Sequence, residues 1–248
     1  MITQTVAGYG EQPLAVHRIG QGRPVLLLHG LFSDAETNWI RFGHAQHLAD
    51  AGYEAIMPDL RAHGASPRPH DPGAYPRDVL VRDVLTLAET LQLDNFDLVG
   101  FSLGARTAAR AVIAGLAPRR LVLAGMGLEG LAGWNRRAAF FLDAIDRFDT
   151  VKHGDPAFMA VSFMKTQKVD RVAARLLLQS VGDTDPAELE VICMPTLVLC
   201  GAQDRDNGDP HKLVEALPDA RFEEVPGTHM SSVTEPAMGQ AILRFLAD

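Results

Sequence analysis

Short runs of apolar residues alternate along the chain with longer stretches in which apolar residues recur every three or four positions. Continuous runs are typical of strands buried on both faces of a parallel sheet, and the wider spacing is typical of helices with one face on a core. The predicted strands are residues 14–19, 25–28, 54–57, 96–99, 121–124, 196–200 and 221–225. This alternation predicts an α/β fold with a doubly wound, mostly parallel sheet.

The alternation stops between residues 127 and 192, where helix-like patterns occur without a convincing strand. Trp134, Ala138 and Ile145 belong to one apolar stripe at helical spacing, and shorter stripes around residues 158–161 and 172–177 indicate two further helices. We therefore predict one core domain formed by residues 1–126 and 193–248, interrupted by a helical insertion at residues 127–192.

Candidate chemistry begins with the sequence G-x-S-x-G at residues 100–104, which lies between a predicted strand and an alanine-rich, helix-like run from Ala105. A serine on a sharp turn from strand to helix has a strained backbone and an exposed hydroxyl, and the flanking glycines let neighbouring chain approach closely. Ser102 could instead be an ordinary helix N-cap, but a cap does not require glycine on both sides. The context favours Ser102 as a nucleophile.

Four further segments occur in a recognisable order: LLLHG at 26–30, PDLRAHGAS at 58–66, PTLVLCGAQD at 195–204 and PGTH at 226–229. Together with G-x-S-x-G they resemble the α/β-hydrolase family, with Ala62 in place of the usual glycine of the second segment. The order Ser102, Asp204, His229 is the order of that family's catalytic triad. The resemblance extends from Leu26 to the final helix, and it implies the α/β-hydrolase fold with a helical cap insertion.

The resemblance implies a role for each of these residues. A serine hydroxyl is a weak nucleophile at neutral pH, so it needs a base within hydrogen-bond reach and an acceptor that orients the base. Ser102, His229 and Asp204 fit the nucleophile, the base and the acceptor. Asp206, in the same acidic loop, is the rival acceptor, but the G-x-x-D spacing favours Asp204.

Two backbone N–H groups are expected to bind the oxyanion of the intermediate, and the resemblance assigns them to Leu103 and Leu31, with Phe32 as the alternative to Leu31. His29 and His63 are expected to brace the loops on which they lie.

Apolar residues of the insertion and of nearby loops predict an apolar substrate pocket. The candidate pocket residues are Phe32, Met126, Phe141, Phe158 and Met230.

The bulk composition narrows the possible partners. The 248 residues include 23 lysines and arginines against 31 acidic residues, a net charge of −8 with no basic block, so no nucleic-acid or membrane partner is expected. No N-terminal leader pattern or long apolar span is visible, which predicts a cytoplasmic protein. Cys193 and Cys200 bracket a predicted strand, too far apart for a disulfide, and are expected to be buried free thiols. We expect no metal and no cofactor, and the sequence leaves monomer and homodimer open.

The implied activity is hydrolysis of carboxylic esters with small to medium apolar acyl groups through an acyl-enzyme. Ser102 argues against haloalkane dehalogenases and epoxide hydrolases of this fold, which use aspartate at the same turn. Three alternatives stay open: cleavage of an enol-lactone or of a carbon–carbon bond in a diketone, cofactor-free perhydrolysis, and a hydrolase-like receptor that binds a ligand without turnover.

Overall fold

Eight strands form a single sheet in the computed structural model, which describes all residues from 1 to 248. They are β1 (Ile2–Ala7), β2 (Pro13–Gly20), β3 (Arg23–Leu28), β4 (Tyr53–Pro58), β5 (Asp97–Phe101), β6 (Leu121–Ala124), β7 (Thr196–Gly201) and β8 (Ala220–Val225). Their order across the sheet is β1-β2-β4-β3-β5-β6-β7-β8. β2 alone runs in the direction opposite to the other seven strands, which confirms the predicted, mostly parallel sheet.

Nine α-helices lie between or after the strands. They are α1 (His44–Asp50), α2 (Val79–Thr90), α3 (Leu103–Ile113), α4 (Leu128–Ala132), α5 (Trp134–Asp146), α6 (Phe158–Thr166), α7 (Arg171–Ser180), α8 (Pro210–Ala216) and α9 (Pro236–Ala247). None of them combines the length and the apolar character that a bilayer crossing requires.

Alternate residues of the central strands face opposite layers of helices. In β3, Val25 and Leu27 belong to a core cluster that also contains residues of α1 and α9. Leu26 and Leu28 belong to a second cluster with α2, α3 and α8. Because both faces of the strand are buried, its sequence is a continuous apolar run, and the predicted doubly wound architecture is confirmed.

The sequence pattern missed β1. This strand lies at the edge of the sheet, pairs only with β2, and is largely exposed. An edge strand with one solvated face needs few apolar residues, so the segment ITQTVA carries no continuous apolar run.

The segment between β6 and β7 contains α4 to α7 and a 3₁₀ turn at Pro186–Val191, with no strand. Trp134, Ala138 and Ile145 of α5 are buried, as is Leu177 of α7, whereas Val172 is exposed. The treatment of this segment as a separate insertion stays a prediction.

The two cysteines are free thiols. Cys200, inside β7, is buried, and burial raises its pKa to about 12. The expectation that Cys193 is buried was wrong, because it precedes β7 in an exposed connection.

The loop after β4 is fixed by buried side chains. Asp59 accepts hydrogen bonds from the N–H groups of Ala35 (2.9 Å) and Ala65 (2.7 Å). Ala62 donates its own N–H to the carbonyl of Pro67 and has a φ of 68°, in the left-handed region that disfavours residues with a Cβ. Alanine is therefore strained at the position where the family usually has glycine.

We predict that Ala62→Gly raises the free energy of unfolding by about 0.5–1 kcal/mol, because relief of the left-handed strain outweighs the greater flexibility of glycine in the unfolded chain. Ala65→Gly in the same loop, where φ is not positive, should instead lower it by about 0.5 kcal/mol. Urea unfolding of both variants measures the difference, and equal effects would show that Ala62 is unstrained.

Candidate active site

Ser102 lies on the turn between β5 and α3 with φ 53° and ψ −114°. The flanking glycines make this turn possible, because a Cβ on Gly100 would lie 2.3 Å from the carbonyl oxygen of Gly104. A Cβ on Gly104 would lie 2.1 Å from the carbonyl oxygen of Leu28. Only glycine fits at either position, so the close crossing of β3, β5 and α3 holds the serine in its strained conformation.

His229 and Asp204 reach Ser102 from the loops that follow β8 and β7. The Nε2 atom of His229 is 3.0 Å from Ser102 Oγ, and its Nδ1 atom is 2.8 Å from Asp204 Oδ2. The structure therefore brings the three predicted residues into one hydrogen-bonded chain. Asp206 does not contact His229, and its N–H instead donates to Asp204 Oδ1 at 3.0 Å.

The surroundings of Asp204 keep its carboxylate ionised. Burial alone would raise its pKa, but the hydrogen bond and charge of His229, the N–H of Asp206 and the charge of Arg137 outweigh burial, so the pKa lies below its usual value. Because an ionised carboxylate only accepts hydrogen bonds, His229 Nδ1 carries the proton and Nε2 accepts from the Ser102 hydroxyl. The ring of His229 also stacks on Phe101, with centroids 5.0 Å apart. This arrangement can accept the proton of an attacking serine.

The amides near Ser102 differ in their availability. Phe32 donates its N–H to His63 Nε2 at 2.9 Å, and burial lowers the pKa of His63 to about 3, which keeps this ring a neutral acceptor. The Leu31 amide donates no hydrogen bond within the protein. Leu103 is the first residue of α3, so its amide has no acceptor inside the helix. Of the two alternatives from sequence, Leu31 is thus the one with a free N–H.

Two further side chains hold the loop that carries Leu31. His29 Nε2 accepts the N–H of Leu60 at 2.9 Å, and Asn38 Oδ1 accepts the N–H of Gly30 at 3.0 Å. Sequence reasoning identified His29 by its motif. It missed Asn38, which lies in no recognisable motif and reaches the loop only through the fold.

A cavity of about 880 Å³ opens beside Ser102 and His229. Of the predicted pocket residues it is lined by Phe32, Met126, Phe141 and Met230. The rings of Phe32 and Phe141 meet edge to face with centroids 5.5 Å apart, which joins the loop after β3 to α5.

The prediction for Phe158 was wrong. Phe158 is the first residue of α6, and its ring packs against His153 at a centroid distance of 5.2 Å, away from the cavity. Met159 and Phe163 line the cavity from the same helix. An apolar stripe alone did not distinguish which face of so short a helix meets the cavity.

Sequence reasoning also missed two arginines of the cavity wall, Arg106 on α3 and Arg137 on α5. No sequence motif marks either one.

Residues 23–148 match the family model described as alpha/beta hydrolase fold. The AB hydrolase superfamily protein YisY of Bacillus subtilis is 39% identical over 98 residues, which cover 39% of this chain and 34% of that protein. An epoxide hydrolase of Caballeronia sordidicola is 33% identical over 120 residues, 46% of this chain and 36% of its own. The chain thus spans about a third of the length of these curated relatives.

Solved structures resemble the chain over nearly its whole length. The bromoperoxidase of Bacillus anthracis superimposes with a TM-score of 0.76 at 24% identity, covering 100% of both chains. An esterase of Exiguobacterium antarcticum does so with a TM-score of 0.79 at 18% identity, again over 100% of both. The enol-lactonase of Burkholderia xenovorans gives 0.72 at 22% identity, over 98% of this chain and 100% of the other. At these identities the likeness shows the fold alone.

We predict that stability falls by about 2 kcal/mol between pH 7 and pH 5 through His63 alone. Its pKa in the folded protein is about 3. Below about pH 6.5 the unfolded chain therefore binds a proton at His63 that the folded protein does not bind. The contribution of His63 to the free energy of unfolding is lost as the pH falls.

His63→Gln, whose side-chain oxygen can still accept the Phe32 N–H, should remove that part of the pH dependence. His153→Gln, at an exposed position, should keep the wild-type dependence. Urea unfolding at the two pH values tests this, and an unchanged slope in His63→Gln would contradict it.

Proposed function

The chain belongs to the alpha/beta hydrolase fold family, and from this premise we propose that it hydrolyses carboxylic esters of small to medium apolar acyl groups, with Ser102 as nucleophile. The observation that carries the proposal is the hydrogen-bonded chain from Ser102 through His229 to Asp204, with distances of 3.0 and 2.8 Å. Its position at the floor of an apolar cavity supports an organic acyl group as the substrate.

In the proposed first step, Ser102 Oγ attacks the ester carbonyl while its proton passes to His229 Nε2. The imidazolium is stabilised by the ionised Asp204, which does not itself take the proton. Collapse of the tetrahedral intermediate breaks the bond to the alcohol oxygen, and His229 returns its proton to that leaving group. The product of this step is an acyl-enzyme on Ser102.

The carbonyl oxygen becomes negatively charged in this step and needs fixed donors. We assign these donors to the N–H groups of Leu31 and Leu103, because neither has an acceptor in the protein. The hydrogen bond from Phe32 to His63 supports this role indirectly, since it holds the peptide next to Leu31 in place.

In the second step a water molecule gives a proton to His229 and attacks the acyl carbon. The intermediate then collapses, Ser102 Oγ leaves with the proton from His229, and the carboxylic acid is released. A carboxylate nucleophile, on which epoxide opening by this fold relies, is missing from the turn, so ester cleavage is favoured over the reaction named for the epoxide hydrolase relative.

We further propose that α4 to α7 act as a cap over this site. Five residues of α6, including Met159 and Phe163, line the same cavity as Ser102, and Phe141 of α5 contacts Phe32 on the loop after β3. The chemistry of the cap therefore decides which acyl groups fit.

Ser102→Ala should lower kcat for p-nitrophenyl butyrate by roughly 10⁴- to 10⁶-fold, because the nucleophile is removed. Asp204→Asn should lower it by about 10⁴-fold, since an amide cannot hold His229 in the productive tautomer. Asp206→Asn is the matched control, because Asp206 offers only its backbone N–H to Asp204. Wild-type turnover by Ser102→Ala would disprove the proposal, and equal losses in the two aspartate variants would disprove the assignment of Asp204.

The cavity volume of about 880 Å³ predicts an optimum in acyl length. We expect kcat/KM for p-nitrophenyl esters to rise with each added methylene by up to about fourfold, following about 0.8 kcal/mol per buried methylene, and to fall once the chain outgrows the wall formed by Phe32 and Phe141. Phe141→Ala should move the optimum to longer chains. An optimum that stays in place would mean that Phe141 does not bound the acyl pocket.

A further inference from the structure

The charged side chains of the cavity wall are almost all of one sign. Four arginines line the cavity, Arg41, Arg106, Arg137 and Arg205, against the single carboxylate of Asp206. The protein as a whole carries a net charge of −8. The cavity wall is thus positive although the protein as a whole is acidic. Of these arginines only Arg137 acts on the triad, through its charge near Asp204.

Three of the four arginines either form hydrogen bonds within the protein or are exposed to solvent. The Arg106 guanidinium is buried and donates to the carbonyls of Gly130, Leu131 and Gly182. Arg41 is exposed, with Glu36 at 3.9 Å. Arg205 is exposed and folds back onto the carbonyl of the preceding residue at 2.7 Å.

Arg137 differs from them. It is half-buried, donates one N–H to the carbonyl of Asp206, and has no carboxylate paired directly with it, although the charges of Asp206 and Asp204 act on it from farther away. Its guanidinium lies over the ring of Phe141, 5.5 Å from the centroid. A partly desolvated guanidinium with free N–H groups and no directly paired carboxylate favours hydrogen bonds to an anion.

The position of Arg137 connects this charge to the reacting centre. The ring of Phe141 beneath it packs against Phe32 at 5.5 Å, and Phe32 follows the free Leu31 amide. On the other side, the carbonyl that binds Arg137 belongs to Asp206, whose N–H contacts Asp204. Arg137 thus lies on the cavity wall between the proposed oxyanion site and the loop of the triad acid.

The rim around these residues is apolar. Phe42, Phe140, Met159 and Met230 line the cavity and are nevertheless exposed, at 38%, 40%, 72% and 49%. A ligand that covers them and also meets Arg137 must be amphipathic.

We propose that the substrate is an ester that carries a carboxylate in addition to the reacting carbonyl, and that Arg137 binds this carboxylate. Arg137 is therefore a specificity-determining residue. This inference deepens the proposed ester hydrolysis and rests on it.

The test compares kcat/KM for matched pairs of esters that differ only in one charge. Mono-p-nitrophenyl adipate and its methyl ester place the carboxylate or its neutral counterpart on the acyl side. Meta-carboxyphenyl butyrate and its methyl ester place it on the alcohol side. The ratio of charged to neutral substrate within each pair cancels differences in folded fraction or in general activity between variants.

We expect Arg137→Gln to lower this ratio roughly 10- to 100-fold on one of the two pairs, the range of a charge-assisted hydrogen bond. Arg137→Lys should recover part of it, because the charge is kept but the planar donor pair is lost. Arg136→Gln removes the same unit of charge from an adjacent, exposed residue outside the cavity wall, and should leave the ratio within about twofold. The pair that responds tells whether the carboxylate belongs to the acyl or the alcohol part.

An unchanged ratio in Arg137→Gln on both pairs overturns the inference while leaving the ester hydrolysis intact. Absence of Ser102-dependent turnover with every ester overturns the proposed function instead.

Calorimetry then measures binding to the anion site without any turnover. If the acyl-side pair responds, monomethyl adipate should bind the Ser102→Ala protein at least about tenfold more tightly than dimethyl adipate; if the alcohol-side pair responds, meta-carboxyphenyl butyrate should do so relative to its methyl ester. Arg137→Gln should abolish that difference. Equal binding of the charged and neutral members of the responding pair would overturn the inference.

Discussion

The backbone of Ser102 is the constraint on which the site depends. A serine at φ 53° and ψ −114° is strained, and it persists because β3, β5 and α3 cross so closely that only glycine fits at positions 100 and 104. The strain aims the hydroxyl away from the sheet and toward His229, and it leaves the first amide of α3 without an acceptor. The orientation of the Ser102 hydroxyl toward His229 and the free amide of Leu103, the proposed oxyanion donor, therefore both follow from one packing constraint.

The remaining groups reach Ser102 because parallel strands end at one edge of the sheet. The loops after β3, β7 and β8 all leave from that edge, which places Leu31, Asp204 and His229 around the serine. These loops are fixed by buried polar contacts, since His63 holds the Phe32 amide and Asn38 holds that of Gly30. Keeping His63 neutral through burial costs stability at acidic pH, but a charged ring could not accept the Phe32 N–H.

The fold and the three central residues were predictable because each depends on local sequence. Buried parallel strands are continuous apolar runs, and the G-x-S-x-G and G-x-x-D turns need glycine at fixed spacing from Ser102 and Asp204. The edge strand β1 and the orientation of Phe158 were not predictable, because each is decided by which neighbours cover one face. The sequence could not single out Arg137 for another reason: its free N–H groups and the absence of a directly paired carboxylate are visible only in the three-dimensional structure.

Packing constraints explain which part of the chain matches the family model. The family match covers residues 23–148 and so includes the turn of Ser102 and the loop of Leu31, but not α6 and α7. Strained turns and close strand crossings accept few residue types. A cavity wall only needs side chains of suitable volume, so many residue types are accepted there. The same scaffold therefore supports proteins described as bromoperoxidase, esterase and enol-lactonase. The proposed substrate preference of this chain rests on contacts such as that of Arg137 with Phe141, where the scaffold constrains the residue type least.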